Sequence, residues 1–569
     1  FASTTSQNID TSNISMSFPM TFNGSGGQWT LLSNFSSNVL NVNQGTLLLN
    51  NRTSFTNYFT SNVSTTRAIN FSTSGRIDIA GVSNTVVTMD VMTNFTYSGT
   101  PDIYLSANFN LGTRTVRFGN SAGATTTNVF DVFIGNNNTG VHVNAGSTDT
   151  LAFLGSYNNF NMSNLLATIS NDAKVIFGNV IIPSSGGTFT AGANAWTVAT
   201  PTSNTSTITT NGRTLDFSFT VGNGTSNGVT QLAGALTLGS TRALTLNSGN
   251  LDFNSYTISS NSFVSNGANV RTLSFANGGQ LTLVGSSATI WNSNNAANFT
   301  FAGSKKVYAS YASSTGTRTV DFGNIIEGQA PTVTWNSAAQ TNAFTFNTST
   351  DTIVLQGAVT NVNTSPSTNT LTLGNITFYG NLYLQMTGGP TWSAANASNA
   401  FTFAATTGTQ TINGSGTIAN TQTSLIKTGA GTLQLSSNVQ VGAQGQANSA
   451  LWGTITHSVG NLDLNNKSLS GQVYISNVTT SRTLSFNTSG NVTLYGGNLT
   501  VINMATAANF AYSGTPRILS TSTAAGNRTI TLGNATAFSS VSNMLDFGIS
   551  NSATAANGTG ILINYNASG

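Results

Sequence analysis

The chain contains no cysteine, which excludes disulfides and thiolate metal sites. Charge is nearly as scarce. Asp, Glu, Lys and Arg make up 5% of the 569 residues, against roughly 25% in ordinary soluble domains. The net charge of +3 comes from scattered side chains, with Lys305-Lys306 the one adjacent basic pair. Phosphate binding needs clustered cations, so nucleic acid is not an expected partner. No apolar run approaches the 18 or so residues of a spanning helix, so no membrane span is expected. Phe1 is not an initiator Met and no basic-plus-apolar leader precedes it. The sequence therefore reads as processed, or as part of something longer. There are two histidines, His142 and His457, and a single glutamate, Glu327. No HExxH, GxSxG or P-loop phrase occurs.

What the chain has instead is 75 asparagines, 58 glycines and 33 phenylalanines, with 38% hydrophobic residues. That is enough apolar material for a core, and it is not the composition of a disordered chain. Its dominant feature is a long internal repeat. Gly45, Gly249 and Gly460 each open a block, and an arginine follows 22 positions later in every copy, at Arg67, Arg271 and Arg482. An Asn-Phe pair follows 27 positions after that, at Asn94, Asn298 and Asn509. A second arginine closes each block, at Arg114, Arg318 and Arg528. Successive copies start 204 and 211 residues apart (271 − 67, 482 − 271). The chain divides into a partial copy, 1–44, two full copies, 45–248 and 249–459, and a third partial copy, 460–569.

Leu244-Thr245-Leu246, Leu281-Thr282-Leu283 and Leu371-Thr372-Leu373 alternate apolar residues with Thr, the period-two signature of strands with one face inside. Gly, Asn and Ser clusters punctuate these runs as turns require. No helical stripe with caps is present. Short strands, frequent turns and a super-repeat of roughly 205 residues predict an all-β, right-handed parallel β-solenoid of about ten coils per repeat. A tandem array of β-sandwiches is the alternative. Phe275, Leu283, Phe299 and Phe301, with the matching Phe71, Phe95, Phe486 and Phe510, are the expected core.

One stretch carries a family resemblance. Leu425 to Ser436, with Lys427, Gly429, Gly431, Thr432, Leu433 and Leu435 in the pattern Lys-x-Gly-x-Gly-Thr-Leu-x-Leu, resembles the autotransporter-associated β-strand repeat of secreted bacterial surface proteins. The recurring Arg-Thr-Leu-x-Phe and Phe-Gly-Asn phrases resemble the β-strand-repeat proteins of bacterial surfaces and marine phage fibres. The resemblance implies an extracellular β-solenoid.

Candidate chemistry is sparse. Asp321 and Glu327 are the nearest approach to the paired carboxylates of a polysaccharide-cleaving β-helix, but Arg117 and Thr531 replace Asp321 in the other copies. Asp102 is matched by Arg517, a charge reversal that suggests a solvent-facing position. Asp149 and Asp351 recur in Thr-Asp-Thr; too sparse for Ca²⁺, they read as turn residues bonding their own backbone. The two histidines read as turn or surface residues. The recurring arginines read as structural, packing their stems along the coil and donating to turn carbonyls. Asn-x-Ser/Thr sequons, such as Asn34-Phe35-Ser36 and Asn527-Arg528-Thr529, are as frequent as composition alone dictates. Outward Thr rows lack the constant period of an ice-binding face. The expectation is no catalytic residue, no cofactor and no metal: a structural fibre or filament segment on a cell surface or virion, acting as spacer, coat or adhesin. Its expected partners are copies of itself, the continuation of a longer chain, or surface glycans. The alternative is a tailspike-like β-helix that binds or cleaves polysaccharide.

Overall fold

The structure is a computed structural model. It describes residues 1–569 except 108–111, 136–138, 147–148, 287, 311–315, 348–351, 365–369, 384–390, 395–398, 415, 419–423, 443–452, 497–499, 507, 521–527, 534–560 and 566–569. Strands make up 54% of the structure and pair in parallel in long sheets, and among the described residues there is no α-helix. The fold is the right-handed parallel β-solenoid, not an array of sandwiches. Among the described residues no helix is long and apolar enough to cross a membrane.

Two compact units are present: residues 1–282 with 298–304, and residues 283–297 with 305–569. In each, alternation dictates which side chains enter the core. In the first unit Trp196, Phe219, Leu244 and Phe263 are successive register partners, all fully buried, while the intervening Thr197, Thr220 and Thr245 form an outward row. In the second unit Phe401, Leu425, Ile455, Tyr474 and Ile502 stack in the same way. Each such side chain contributes about 1.5–3 kcal/mol through burial. The expected core residues are all inside: Phe275, Leu283, Phe299 and Phe301 are buried, as are Phe71, Phe95, Phe486 and Phe510.

Asparagine has a defined role at the turns. Asn51 Oδ1 accepts the backbone N–H groups of Thr73 and Ser74, one coil on. Asn466 does the same for Thr488 and Ser489. Asn62 bonds the Val91 amide and its counterpart Asn477 the Thr506 amide. A short amide that can accept from the neighbouring coil replaces charge as the adhesive between turns.

Candidate functional site

The repeat landmarks meet in space. Gly45, Arg67 and Phe95 are consecutive register partners on three successive coils. Gly249, Arg271 and Phe299 repeat the column, and so do Gly460, Arg482 and Phe510. The glycines have φ of 83°, 78° and 76°. A Cβ on Gly45 would stand 2.6 Å from the carbonyl oxygens of Gly24 and Gly27, so the coil closes there only on glycine. Asn94, Asn298 and Asn509 also take left-handed φ, between 56° and 58°, and each Nδ2 donates to a carbonyl 30 residues back.

The arginines of these columns point inward and are at most 1% exposed. All five donors of Arg67 are used. Nε donates to Ser61 Oγ (2.8 Å), Nη1 to the carbonyls of Thr65 and Thr93, and Nη2 to those of Ser61 and Val91. Arg482 repeats the set on Ser476, Thr480, Ala508 and Thr506. Arg271 bonds Ser265 and the Asn269 carbonyl. The serine, six residues before each arginine, donates in turn to the carbonyl 19 residues before it, on Val42, Leu246 and His457. The guanidinium carbon lies 5.4–5.5 Å above the Phe ring of the next coil. Burial lowers the Arg67 pKa to about 10, so the group stays cationic at neutral pH. The cage contains no carboxylate: carbonyl dipoles and a ring face hold the charge. The structural reading of these arginines agrees with this geometry.

The closing arginines differ from one another. Arg114 is buried against Asp149 (3.1 Å) and also donates to the Asn144 carbonyl. Burial lowers its pKa more than Asp149 restores it. Asp149 Oδ2 accepts from the Gly146 N–H, the turn bond expected of it. Its counterpart Asp351 lies outside the described residues. Arg318 lies 5.6 Å from the Phe346 ring, and Arg528 donates to Ser520 Oγ at 3.2 Å. Asp321 accepts from the Gly323 N–H and Gln356 Nε2, whereas Glu327 accepts from the Thr406 amide and hydroxyl. The two acids have separate structural partners. Among the described residues no group of three or more His, Asp or Glu could hold a metal ion.

Both histidines correct the surface expectation. His457 is fully buried. It shares the inward face with Ile455, with Tyr474 Oη 3.1 Å from Nδ1 and the Gly460 carbonyl 2.9 Å from Nε2. Burial pushes its pKa down to about 4. Its register partner is Lys427 of the Lys-x-Gly-x-Gly phrase, also fully buried, with its ammonium lowered by burial to about 8 and donating to the Gly429 carbonyl. His142 alternates out of the core between Val141 and Val143, yet is 3% exposed.

What covers His142 is a cluster found in the first copy alone. Asp78, Tyr104, His142 and Phe133 are successive register partners. Tyr104 stacks on the imidazole at 4.4 Å, and Arg76 lies 5.3 Å from the Tyr104 ring centroid. Asp102 bridges Arg76 Nε (2.8 Å) and His142 Nε2 (2.5 Å). Burial pushes its carboxyl up, but the bonds and charges of His142 and Arg76 outweigh that and hold it below the ordinary value. Asp102 is thus not the solvent-facing position its replacement by Arg517 suggests. In the second copy the equivalent positions are Gln280, Thr282, Lys306, Tyr308 and Thr345, and the cluster is dismantled.

Phe55, the register partner of Asp78, extends this face toward the chain start. It is 43% exposed and lines a cleft of about 260 Å³ with Ser15, Ser17, Ser36, Asn38 and Asn57. A second cleft, of about 390 Å³, is lined by the turn asparagines Asn158, Asn159 and Asn179 with Phe177 and Ser206. Asn159 and Asn179 already accept from the next coil. The Phe55 face passed unnoticed in the sequence because its residues are 23, 26 and 38 positions apart (78 − 55, 104 − 78, 142 − 104). No protein-family model matches this chain, and neither a curated protein nor a solved structure matches it.

Proposed function

We propose that the chain is a non-enzymatic structural segment, exposed on a cell surface or virion, that serves as spacer, coat or adhesin. One observation carries this reading. The residues repeated from copy to copy, Gly45, Arg67, Asn94 and Phe95 with their counterparts, all hold coil on coil. Its strands are parallel and its surface nearly uncharged, so few charges oppose side-by-side or end-to-end pairing with further copies. Electron microscopy of the purified chain tests the assembly, with elongated particles or filaments expected; compact globular particles would end the reading. Incubation with polysaccharides tests the absence of chemistry. No reducing ends are expected, and Asp321→Asn with Glu327→Gln changes nothing.

The second reading, a β-helix that binds or cleaves polysaccharide, is favoured by the first-copy face, where Asp78, Asp102, Tyr104 and His142 come together. Chain shortening that is lost on Asp102→Asn would establish it.

A further inference from the structure

The cleft at Phe55 has the makings of a ligand site. Its lining residues include no charged side chain. The Phe55 ring stands 43% exposed on it, although an outward aromatic on a strand is ordinarily turned against its neighbours. The ring is surrounded by hydroxyls and amides. Asn57 Nδ2 donates to Asn38 Oδ1 at 3.1 Å, which orients the pair and leaves the Asn57 carbonyl oxygen and the Asn38 amino group to face a ligand. Ser36, the register partner of Phe55, shares this outward face and lines the cleft with it. Phe18, whose carbonyl accepts the Asn38 amide, is a second ring, 55% exposed.

The chemistry of this set selects its occupant. An anion needs a cation, and none lines the cleft; further along the face Arg76 and His142 both hold Asp102. Asp78 already accepts the Ser106 hydroxyl. A cation would find no carboxylate in the cleft. An apolar ligand would strand the amides. A neutral, polyhydroxylated chain matches: its C–H faces lie on the ring while its hydroxyls exchange bonds with Asn38, Asn57 and the serines. Along the solenoid axis the face continues from Phe55 through Asp78 to Tyr104, two coils away and so about 10 Å further on. Repeating sugar units can follow that direction.

We propose that the face running from the Phe55 cleft toward Tyr104 binds a neutral polysaccharide. This deepens the adhesin form of the structural reading and rests on it. The test is affinity electrophoresis of the full chain in native gels containing dextran, mannan or mixed-linkage β-glucan, with alginate as the anionic arm. Retardation is expected in at least one neutral gel. Phe55→Ala and Asn57→Ala should each weaken it about tenfold, while Tyr256→Ala, removing an exposed ring elsewhere on the same unit, should not. Circular dichroism confirms that each variant retains its strands; where one does not, the other decides. No retardation in any neutral gel, retardation in alginate alone, or retardation indifferent to both substitutions would overturn the site. Reducing ends are counted in parallel. Their appearance would overturn the non-enzymatic reading but leave the binding face standing, whereas absence of retardation would remove the face and leave that reading intact.

Discussion

Arg67 and Arg76 are nine residues apart (76 − 67) and obey opposite rules. Arg67 is inside, bonded five times to carbonyls and a serine, and is reproduced in both other copies. Arg76 is outside, paired with Asp102 and packed on Tyr104, and is Gln280 and Asn491 at the equivalent positions. Recurrence within this chain therefore reports what the coil needs in order to close. The unrepeated face reports what one copy has acquired beyond closure. In a solenoid with few charges, the sites worth testing for binding are those the repeat does not explain.

The comparison breaks most sharply at the cage. Arg67→Ala should leave a cavity and several buried carbonyls without donors, at a loss of about 5 kcal/mol. Arg67→Lys should recover little of it, having three donors and no fork. Hydrogen exchange at the Ser61, Thr65 and Thr93 turns reads the loss locally. Truncating a core ring, Phe275→Ala, should cost about 3–5 kcal/mol, measured as a lowered midpoint in guanidinium. An unchanged midpoint would show that the apolar columns are not what holds the coils.

A smaller effect separates buried cations from exposed ones through pH. His457 titrates at about 4 when folded against an ordinary 6.5. The unfolded chain binds more protons between those values, so stability is complete above about 6.5 and falls as pH drops toward 4. Lys174 has the same sign in a higher window. It is buried over the Trp196 ring, and burial pushes its ammonium to about 7 from 10.5. Stability should thus rise with pH from about 7 toward 10, by about 1–3 kcal/mol. Lys174→Met should reduce that alkaline rise in melting temperature, leaving the part that buried Lys427 contributes above about 8, and a rise undiminished in the variant would refute the assignment. The smallest effect belongs to the outer face. Asp102→Asn, which keeps an acceptor for Arg76 but removes the carboxylate from the nearly buried His142, should cost about 1–2 kcal/mol, read by the same melts. A larger loss would move the Arg76–Asp102–His142 cluster into the structural class.

Much of the fold was legible, because alternation and repetition are local signals. Leu244-Thr245-Leu246 states which side chains enter the core, and the 22-residue interval from Gly45 to Arg67 is one coil. The cage was legible only in kind: the sequence marks the arginine, but its acceptors come from turns 6 residues before and 24 to 26 residues after it. His457 was misplaced although Ile455, two residues earlier, places it on the inward face. A lone polar residue carried more weight than the alternation around it. The Phe55 face was not legible. Successive coils differ in length, so the residues that stack on one another cannot be paired without the register. Comparison between copies also misled at Asp102, because a charge that changes sign between copies can still be engaged in one of them.

The carboxylate-free cage has a consequence for the medium in which such a chain can work. Dissolved ions weaken attraction between exposed charges over about 8–10 Å at ordinary ionic strength and about 3 Å in molar salt. Here the recurring cations are sealed among carbonyl dipoles, where mobile ions do not reach them, and the surface is hydrated by amides and hydroxyls. Dilute buffer and concentrated brine should therefore be nearly the same solvent to this solenoid. Its melting temperature is expected to stay flat from about 10 mM to about 1 M sodium chloride, so that the coil keeps its shape across changes of salinity that would loosen a fold held by surface ion pairs.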